Sequence, residues 1–308
     1  MPTAYQPVLA GKPPLRFGKF LVTARIASGG MGAVYKVVDT VARREAALKV
    51  LAPDLASRPV MLRHFQLEAR HGQRLPPHEN LVTLYEAGAI KEFHYLALEL
   101  VEGPDLREYV AQTGPLSVEE SRTLIIQAAR ALGHLHDHGI THRDVKPANF
   151  LLGYQDGRRA VKLIDLGLAR HQEEPEEVQD RPPGSTLGTV DYLAPEQARD
   201  CTASDVRSDL YSLGCTWFFL LTGAPPFGEG TATERVRRHA EAPPPDVRAV
   251  NPAVPVRLAR VLQRLLAKNP ADRYPTPAVL IQELEMPDKV GRWRGKGRQL
   301  ARRFVVGS

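Results

Sequence analysis

Cysteine is nearly absent from this chain, with Cys201 and Cys215 as the only two among 308 residues. Two cysteines cannot build a disulfide framework, and these two lack the spacing of a metal site. We therefore expect a protein of the reducing cytoplasm.

Long apolar runs are also missing. The longest strongly apolar stretch runs from Leu213 to Leu221, which is far too short to cross a bilayer. The opening stretch MPTAYQPVLAGKPPLR lacks the apolar segment of a secretory signal. We therefore expect neither a membrane span nor a secretory signal in this sequence.

Excess charge is confined to the last segment. Residues 286–308 contain seven lysines and arginines against one acid, which equals the net charge of +6 of the whole chain. The remainder is electrically balanced, so we expect no specific binding of nucleic acid. The basic segment has two interpretations: a solvated end, or a contact with an anionic membrane or another acidic surface. In the second case the membrane contact could come from the basic segment itself or from a C-terminal extension that follows it.

The hydrophobic pattern changes near residue 100. Before it, short β-branched runs at 20–50, 81–90 and 93–100 predict strands, and helical spacing predicts one helix at 58–75. After it, Ser117 and Glu120 mark a helix start, followed by one apolar face. That face comprises Leu124, Ile125, Ala128, Ala129, Leu132 and Leu135.

Further helices are predicted at 205–222, 231–241, 255–267 and 277–285, separated by proline-rich breaks. We predict an α+β fold of two lobes, the first β-rich and the second mainly helical. The predicted divisions are an arm at 1–18, a domain at 19–285 with lobes 19–100 and 101–285, and a basic tail at 286–308.

The stretch THRDVKPANFLL, from Thr141 to Leu152, is the most informative one. It places Asp144, Lys146 and Asn149 in one short loop, and Asp165 follows in DLG. Carboxylate and amide oxygens are the ligands that Mg²⁺ prefers. A phosphoryl-transfer site needs such ligands, a group that orients the attacking hydroxyl, and cations facing the phosphates.

A glycine-rich string, RIASGGMGAVYKV, precedes this loop by about a hundred residues. Taken alone it is weak evidence, because dinucleotide-binding folds use similar strings. Together with HRDVKPAN, DLG and APE, in that order, it resembles the bacterial eukaryotic-like (Hanks-type) Ser/Thr protein kinases. The resemblance runs from about Phe20 to Leu284, nearly all of the chain outside its ends.

The resemblance implies transfer of the ATP γ-phosphate to serine or threonine hydroxyls of proteins, with Mg²⁺, or Mn²⁺ as an alternative ion. Lys49 would hold the α- and β-phosphates and pair with Glu68, with Glu79 as the alternative acid. The implied ATP-binding residues are Ala27, Ser28, Gly29, Gly30, Gly32, Val34, Ala47, Lys49, Glu99 and Val101, beside a gatekeeper at Leu98.

The resemblance also implies roles for the loop residues. Asp144 would orient the substrate hydroxyl, Lys146 would neutralise the γ-phosphate, and Asn149 and Asp165 would hold the metal ion. Three further residues would be structural: Asp209, which braces the catalytic loop, and the pair Glu196 and Arg273.

Regulation is expected in the activation segment. Arg143 beside the catalytic acid favours a compensating anion, and phosphorylated Ser185 or Thr186 would supply one. The alternative is that these two are ordinary turn hydroxyls. Thr189, in GTVDYLAPE, would lie near Asp144.

Two other functions stay open. Ala27 in place of a loop glycine, and Leu166 in place of phenylalanine, leave room for a pseudokinase that binds nucleotide without transfer. The basic tail leaves open an adaptor function, in which the tail docks the chain to a membrane or to nucleic acid. His134 and His138 have the i, i+4 spacing of metal ligands, but too few partners are evident for zinc, and a helix-end role is favoured.

Overall fold

The computed structural model describes residues 6–7, 15–29, 32–155, 157–171, 189–200 and 204–287; at residues 6, 7 and 189 it describes the backbone alone. Gly30, Ser185, Thr186 and residues 288–308 of the basic tail lie outside these ranges. The roles predicted for them therefore stay predictions.

The N-terminal lobe is built on one antiparallel sheet. Its strands are β1 (Gln6–Pro7), β2 (Arg16–Phe17), β3 (Phe20–Gly29), β4 (Gly32–Asp39), β5 (Arg44–Leu51), β6 (Leu84–Ile90) and β7 (Phe93–Leu98). Their order is β1-β3-β4-β5-β7-β6, and β2 pairs with β3. Alternating side chains such as Phe20, Val37 and Leu48 are almost fully buried on one face and form a core.

Two helices follow β5: α1 (Pro53–Ala56) and α2 (Pro59–Arg74). The second packs on the sheet through a small core of Leu51, Phe65 and Leu96. Gly72 permits a close approach to β6, since a Cβ there would lie 2.9 Å from the Leu84 side chain. The contact fixes the helix that carries Glu68.

The C-terminal lobe is mainly helical. Within the described ranges it contains α3 (Leu106–Thr113), α4 (Val118–Asp137), α5 (Pro195–Arg199), α6 (Val206–Thr222), α7 (Ala232–Glu241), α8 (Val247–Val250), α9 (Val256–Leu265) and α10 (Pro277–Glu285). Helix α6 is buried along nearly its whole length, and α4 and α10 pack around the same core. A helix that is apolar on all sides is stable only when other elements surround it.

Four short strands shape the loops between the lobes: β8 (Ile140–Thr141), β9 (Phe150–Gln155), β10 (Arg158–Leu163) and β11 (Arg170–His171). Strands β9 and β10 form a hairpin, and β11 pairs with β8. The amide of Ile164 donates to the carbonyl of Asn149 at 2.9 Å. The loop after β8 and the loop after β10 are thereby held side by side.

The two-lobe α+β prediction is confirmed, as are the helix at 58–75, the helix after Ser117 with its apolar face, and the four later helices. The predicted strands at 81–90 and 93–100 are shorter than expected, since β6 begins at Leu84 and β7 ends at Leu98. Helices α1, α5 and α8 were not predicted because four or five residues show no helical period, and the eight-residue helix α3 was not predicted either. Strands β8 and β11 were missed because two residues show no alternation and each pairs with a distant segment; the hairpin of β9 and β10 was also not predicted.

Candidate active site

A cleft of about 480 Å³ lies between the two lobes. Its roof comes from β3, β4 and β5, its floor from β9 and the end of β10, and its back wall from the segment after β7. The lining is predominantly apolar, as in sites for flat organic ligands.

The glycine-rich string forms a hairpin that covers the cleft. Across it Ala27 pairs with Val34, and Gly29 pairs with Gly32. Gly32 has a φ of 122°, and a Cβ there would lie 2.2 Å from the carbonyl oxygen of Val50. Only glycine fits at this position, because both the backbone conformation and the space exclude a side chain.

The residues predicted to bind ATP divide into three groups. Seven line the cleft: Ala27, Gly32, Val34, Ala47, Lys49, Glu99 and Val101. Ser28 and Gly29 belong to the hairpin but are not among the lining residues, and Gly30 is not described.

The segment after β7 is held by its own contacts. The Glu99 amide donates to the Thr83 carbonyl at 2.9 Å, and the Glu99 carboxylate lies 2.6 Å from the Lys162 ammonium. The amide and the carboxylate of Glu99 are thus both engaged within the chain. Leu98, predicted as the gatekeeper, lines the cleft beside it.

Three charged side chains meet at the inner end of the cleft. The Nζ of Lys49 lies 2.6 Å from Oε2 of Glu68 and 3.7 Å from Oδ1 of Asp165. Glu79 instead lies near Arg130, at 3.8 Å, so Glu68 is the partner of Lys49.

Burial alone disfavours a charged lysine, but the two carboxylates outweigh it, and the pKa of Lys49 lies above its ordinary value. The Lys49 ammonium lowers the pKa of Asp165. A cation and an anion are therefore both charged in the cleft at neutral pH.

A second polar group lies in the loop after β8. Lys146 donates to Oδ2 of Asp144 at 2.7 Å, and the amide nitrogen of Asn149 donates to the same oxygen at 3.0 Å. Asn149 also donates to the backbone carbonyl of Asp144 at 2.7 Å. These bonds fix the direction of the Asp144 carboxylate, which is 8% exposed.

A buried acid on helix α6 holds the backbone of this loop. Asp209, in the first turn of α6, accepts hydrogen bonds from the amides of His142 and Arg143, both at 2.8 Å. Arg143 has a φ of 67°, which is uncommon for a residue other than glycine. The two bonds to Asp209 hold the backbone in this conformation.

The DLG turn faces this loop. Asp165 has a φ of 66°, and its Oδ1 accepts a hydrogen bond from the Gly167 amide at 3.2 Å. An aspartate tolerates this left-handed conformation better than most residues because its short side chain bonds to the nearby backbone.

The oxygen atoms of Asn149 and Asp165 are suitable ligands for a hard cation such as Mg²⁺. Asn149 uses its amide nitrogen to donate, which leaves its oxygen end as a ligand, and Asp165 contributes a charged carboxylate. One carboxylate and one amide oxygen, completed by water and phosphate oxygens, match the coordination habits of Mg²⁺.

The activation segment is anchored at its far end. Arg273, whose side chain is fully buried, donates to both carboxylate oxygens of Glu196 at 2.6 and 2.8 Å. Gln197 donates to the carbonyl of Arg143 at 3.2 Å, which links α5 to the catalytic loop. Thr189 begins a 3₁₀ turn at Thr189–Tyr192, and its side chain is not described.

The two helix-end histidines do not form a metal site. The ring of His134 stacks on that of His78 and lies near that of His138, and its Nε2 lies 3.0 Å from the Pro76 carbonyl. Across the described ranges, no three His, Cys, Asp or Glu side chains are arranged to hold a metal ion. The described contacts of His134 and His138 are with other rings and with backbone carbonyls.

Several residues of the cleft were not singled out from the sequence, and three of them show why. Leu151 forms part of its floor, Gly103 lets the chain pass the Leu152 carbonyl, and Asp105 lies at its edge. A Cβ on Gly103 would lie 1.9 Å from that carbonyl oxygen. Only Asp105 carried a sequence signal, as the acid capping α3.

A β-rich lobe and a helical lobe that enclose a cleft, with a paired lysine at its inner end and an acid–lysine–amide loop beside it, define the protein kinase class. A family model described as "Protein kinase domain" matches residues 20–284. The chain belongs to this family, whose members use ATP and a divalent metal ion.

The serine/threonine-protein kinase PrkC of Bacillus subtilis (strain 168) is 35% identical over 259 residues, covering 84% of this chain and 39% of that protein. The serine/threonine-protein kinase PknB of Mycobacterium leprae (strain TN) is 37% identical over 262 residues, covering 83% and 41%. The chain thus spans about two fifths of the length of these relatives.

Among solved structures, the kinase domain of Mycobacterium tuberculosis PknI superposes with a TM-score of 0.68 at 28% identity, covering 89% of this chain and 98% of that one. The family predicted from the sequence motifs is confirmed. None of the helices in the described ranges combines the length and hydropathy that a bilayer span requires.

Proposed function

We propose that this chain is a protein Ser/Thr kinase that transfers the γ-phosphoryl group of ATP to serine and threonine hydroxyls of proteins. One observation carries the proposal: the ion pair of Lys49 with Glu68 is formed at 2.6 Å, with Asp165 only 3.7 Å from the same ammonium. A protein that only bound nucleotide would not need this arrangement together with an oriented Asp144.

In the proposed reaction, the hydroxyl oxygen of the substrate forms a bond to the γ-phosphorus while the bond from that phosphorus to the β,γ-bridging oxygen breaks, leaving ADP. Asp144 orients the hydroxyl and accepts its proton. Lys146, 2.7 Å from the same carboxylate, places a positive charge next to the transferred group. Lys49 places another on the α- and β-phosphates.

Asn149 and Asp165 are the proposed ligands of Mg²⁺, with Mn²⁺ as an alternative ion, and the bound ion would offset phosphate charge. Ala27, Ser28, Gly29, Gly30, Gly32 and Val34 are proposed to cover the phosphates and the base. Ala47, Glu99 and Val101 are proposed to hold the adenine ring.

The choice of serine and threonine rests on the relatives, which are named serine/threonine-protein kinases. A lysine two residues after the catalytic aspartate agrees with it, because the ammonium is a compact cation suited to a phosphate beside a small hydroxyl.

The test is transfer of radiolabelled phosphate from ATP to casein in the presence of Mg²⁺. Asp144→Asn should lower kcat by about 100- to 10,000-fold, the usual contribution of a positioned acid–base group. Asp165→Asn should raise the Mg²⁺ requirement. Arg237→Met, which breaks an exposed pair with Glu241, is the matched control and should leave transfer unchanged. Equal labelling of casein by the unmodified chain and all three variants would contradict the proposal.

The pseudokinase alternative gains no support from the site. Ala27 adds one methyl group at the entry of the hairpin, whereas Gly32, where a side chain cannot fit, is retained. Leu166 is 6% exposed and packs in the main core, as an apolar residue should at that position.

Regulation by phosphorylation of the activation segment is a further part of the proposal. Phosphorylation at Ser185 or Thr186 would supply the anion that Arg143 favours and would order the activation segment. Phosphopeptide mapping after incubation with ATP and Mg²⁺ tests it, and the absence of phosphate between residues 167 and 190 would contradict it.

The basic segment 286–308 is proposed to associate a cytoplasmic kinase with anionic membranes. Co-sedimentation with phosphatidylserine vesicles should fall when residues 287–308 are deleted, and it should fall with added salt. Equal sedimentation of the full and the shortened chain would remove the proposal.

A further inference from the structure

Helix α2 carries a buried polar face. His64, Glu68 and His71 are 4%, 7% and 0% exposed. Their spacing of four and three residues places them above one another on the same side of the helix. Polar groups that are this deeply buried are normally hydrogen-bonded, so each partner identifies what the helix holds in place.

Glu68 binds Lys49, whereas the histidines face the DLG turn. The Nδ1 atom of His64 lies 2.7 Å from the carbonyl oxygen of Gly167. A carbonyl can only accept, so Nδ1 of His64 carries the proton and donates it. His71 is oriented in the same way toward the Leu166 carbonyl, at the longer distance of 3.5 Å.

Gly167 is therefore held on both sides. Its amide donates to Oδ1 of Asp165, and its carbonyl accepts from His64. The packing is tight on the side of Asp165, since a Cβ on Gly167 would lie 3.2 Å from its Oδ1 atom, and Oε2 of Glu68 is in ordinary contact range at 3.9 Å. Asp165 meanwhile keeps its uncommon φ of 66°, a conformation that persists only where the surroundings enforce it.

We propose that His64 is a positioning residue for Asp165. Its hydrogen bond to Gly167 fastens the DLG turn to helix α2, while the pair of Glu68 with Lys49 fastens the same helix to the sheet. Helix, lysine and aspartate are then held as one unit. The inference rests on the proposed function, in that Asp165 is taken as a ligand of the metal ion.

Two substitutions separate the hydrogen bond from simple packing. His64→Leu fills a similar volume but removes the donor. His64→Asn places its amide nitrogen near the position of Nδ1 and keeps a donor, whereas His64→Gln extends the amide toward the position of Nε2. His136→Leu, on helix α4, is the matched control for the loss of a histidine.

The measurement is binding of a fluorescent methylanthraniloyl derivative of ATP, first in EDTA and then across a Mg²⁺ titration. His64→Leu should need about tenfold more Mg²⁺ for half of the metal-dependent signal, the loss expected for one buried hydrogen bond. His64→Asn should stay within about threefold of the unmodified chain. Affinity in EDTA should be unchanged in both.

Three outcomes would overturn the proposal: an unchanged Mg²⁺ midpoint in His64→Leu, an equal rise in His64→Leu and His64→Asn, or an equal loss of affinity in EDTA. If His64→Leu does not fold by circular dichroism, His64→Asn is compared with His64→Gln, and equal midpoints would overturn it. The assay measures binding and not phosphate transfer. A chain that binds nucleotide with Mg²⁺ but transfers no phosphate would therefore refute the proposed function without refuting the role of His64.

Discussion

Replacement of Arg273 by methionine tests how strongly the end of the activation segment is held. The guanidinium donates five hydrogen bonds: two to the carboxylate of Glu196, and one each to the carbonyls of Arg207, Ala267 and Lys268. Methionine keeps most of the apolar stem but none of the donors. The carboxylate of Glu196 is then left largely buried without its cation.

Breaking a buried ion pair by removing one partner typically costs about 3–5 kcal/mol. The Glu196 side chain is 13% exposed, so some water reaches it, and three carbonyls also lose donors. We therefore expect Arg273→Met to lower the free energy of unfolding by about 4 kcal/mol. Arg237→Met is the control, because its pair with Glu241 is exposed and contributes no more than about 0.5 kcal/mol.

Urea unfolding followed by tryptophan fluorescence measures the change, because Trp217 is fully buried in the helical lobe; replacing Trp293 by phenylalanine in all samples makes Trp217 the sole tryptophan. Far-UV circular dichroism on the same samples tests whether one transition is seen by both probes, since two lobes can unfold separately. A loss below about 1 kcal/mol in Arg273→Met would refute the reasoning, because it would mean that the pair and its desolvation nearly cancel.

The same pair makes stability depend on pH. Burial acts to raise the pKa of Glu196, but its bonds to Arg273 and Ser208 outweigh this effect, and the pKa lies below the ordinary value of 4.5. A depressed carboxyl pKa stabilises the fold above the unfolded pKa, and that stability is lost as the pH falls through the folded pKa. The stability difference between the unmodified chain and Arg273→Met should therefore narrow below about pH 4.5. A difference that stays constant down to pH 3 would contradict this explanation.

Three further substitutions address the cleft. Gly32→Ala should weaken ATP binding by at least about tenfold in calorimetry, because its Cβ would lie 2.2 Å from the Val50 carbonyl oxygen; unchanged affinity would show that the hairpin relaxes freely. Ala27→Gly should lower the Michaelis constant for ATP by relaxing the hairpin entry, and an unchanged constant would show that alanine is neutral there. Asp209→Asn should reduce kcat more than the Michaelis constant for ATP, since it weakens the support of the catalytic loop; equal changes in both would contradict that role.

Much of this architecture could be predicted from the sequence. Helices α2, α4, α6, α7, α9 and α10 are long enough to show a period of apolar residues, and all were placed within a few residues. The candidate site residues could be numbered because HRDVKPAN and DLG are rich in chemically specific side chains. Elements of two to five residues, such as α5 and β8, could not be predicted, since no period develops over that length.

The amino-acid sequence by itself determined which chemical groups the cleft would contain: a lysine on a strand, an acid on a helix, and an acid, a lysine and an amide in one loop. The sequence alone identifies these groups because each of them lies in a short motif of consecutive residues. Tertiary structure alone decided that Lys49 pairs with Glu68 rather than Glu79, and that two histidines of α2 face the DLG turn. These contacts join residues up to 103 positions apart, and only the packing of helix against loop brings them within hydrogen-bond distance.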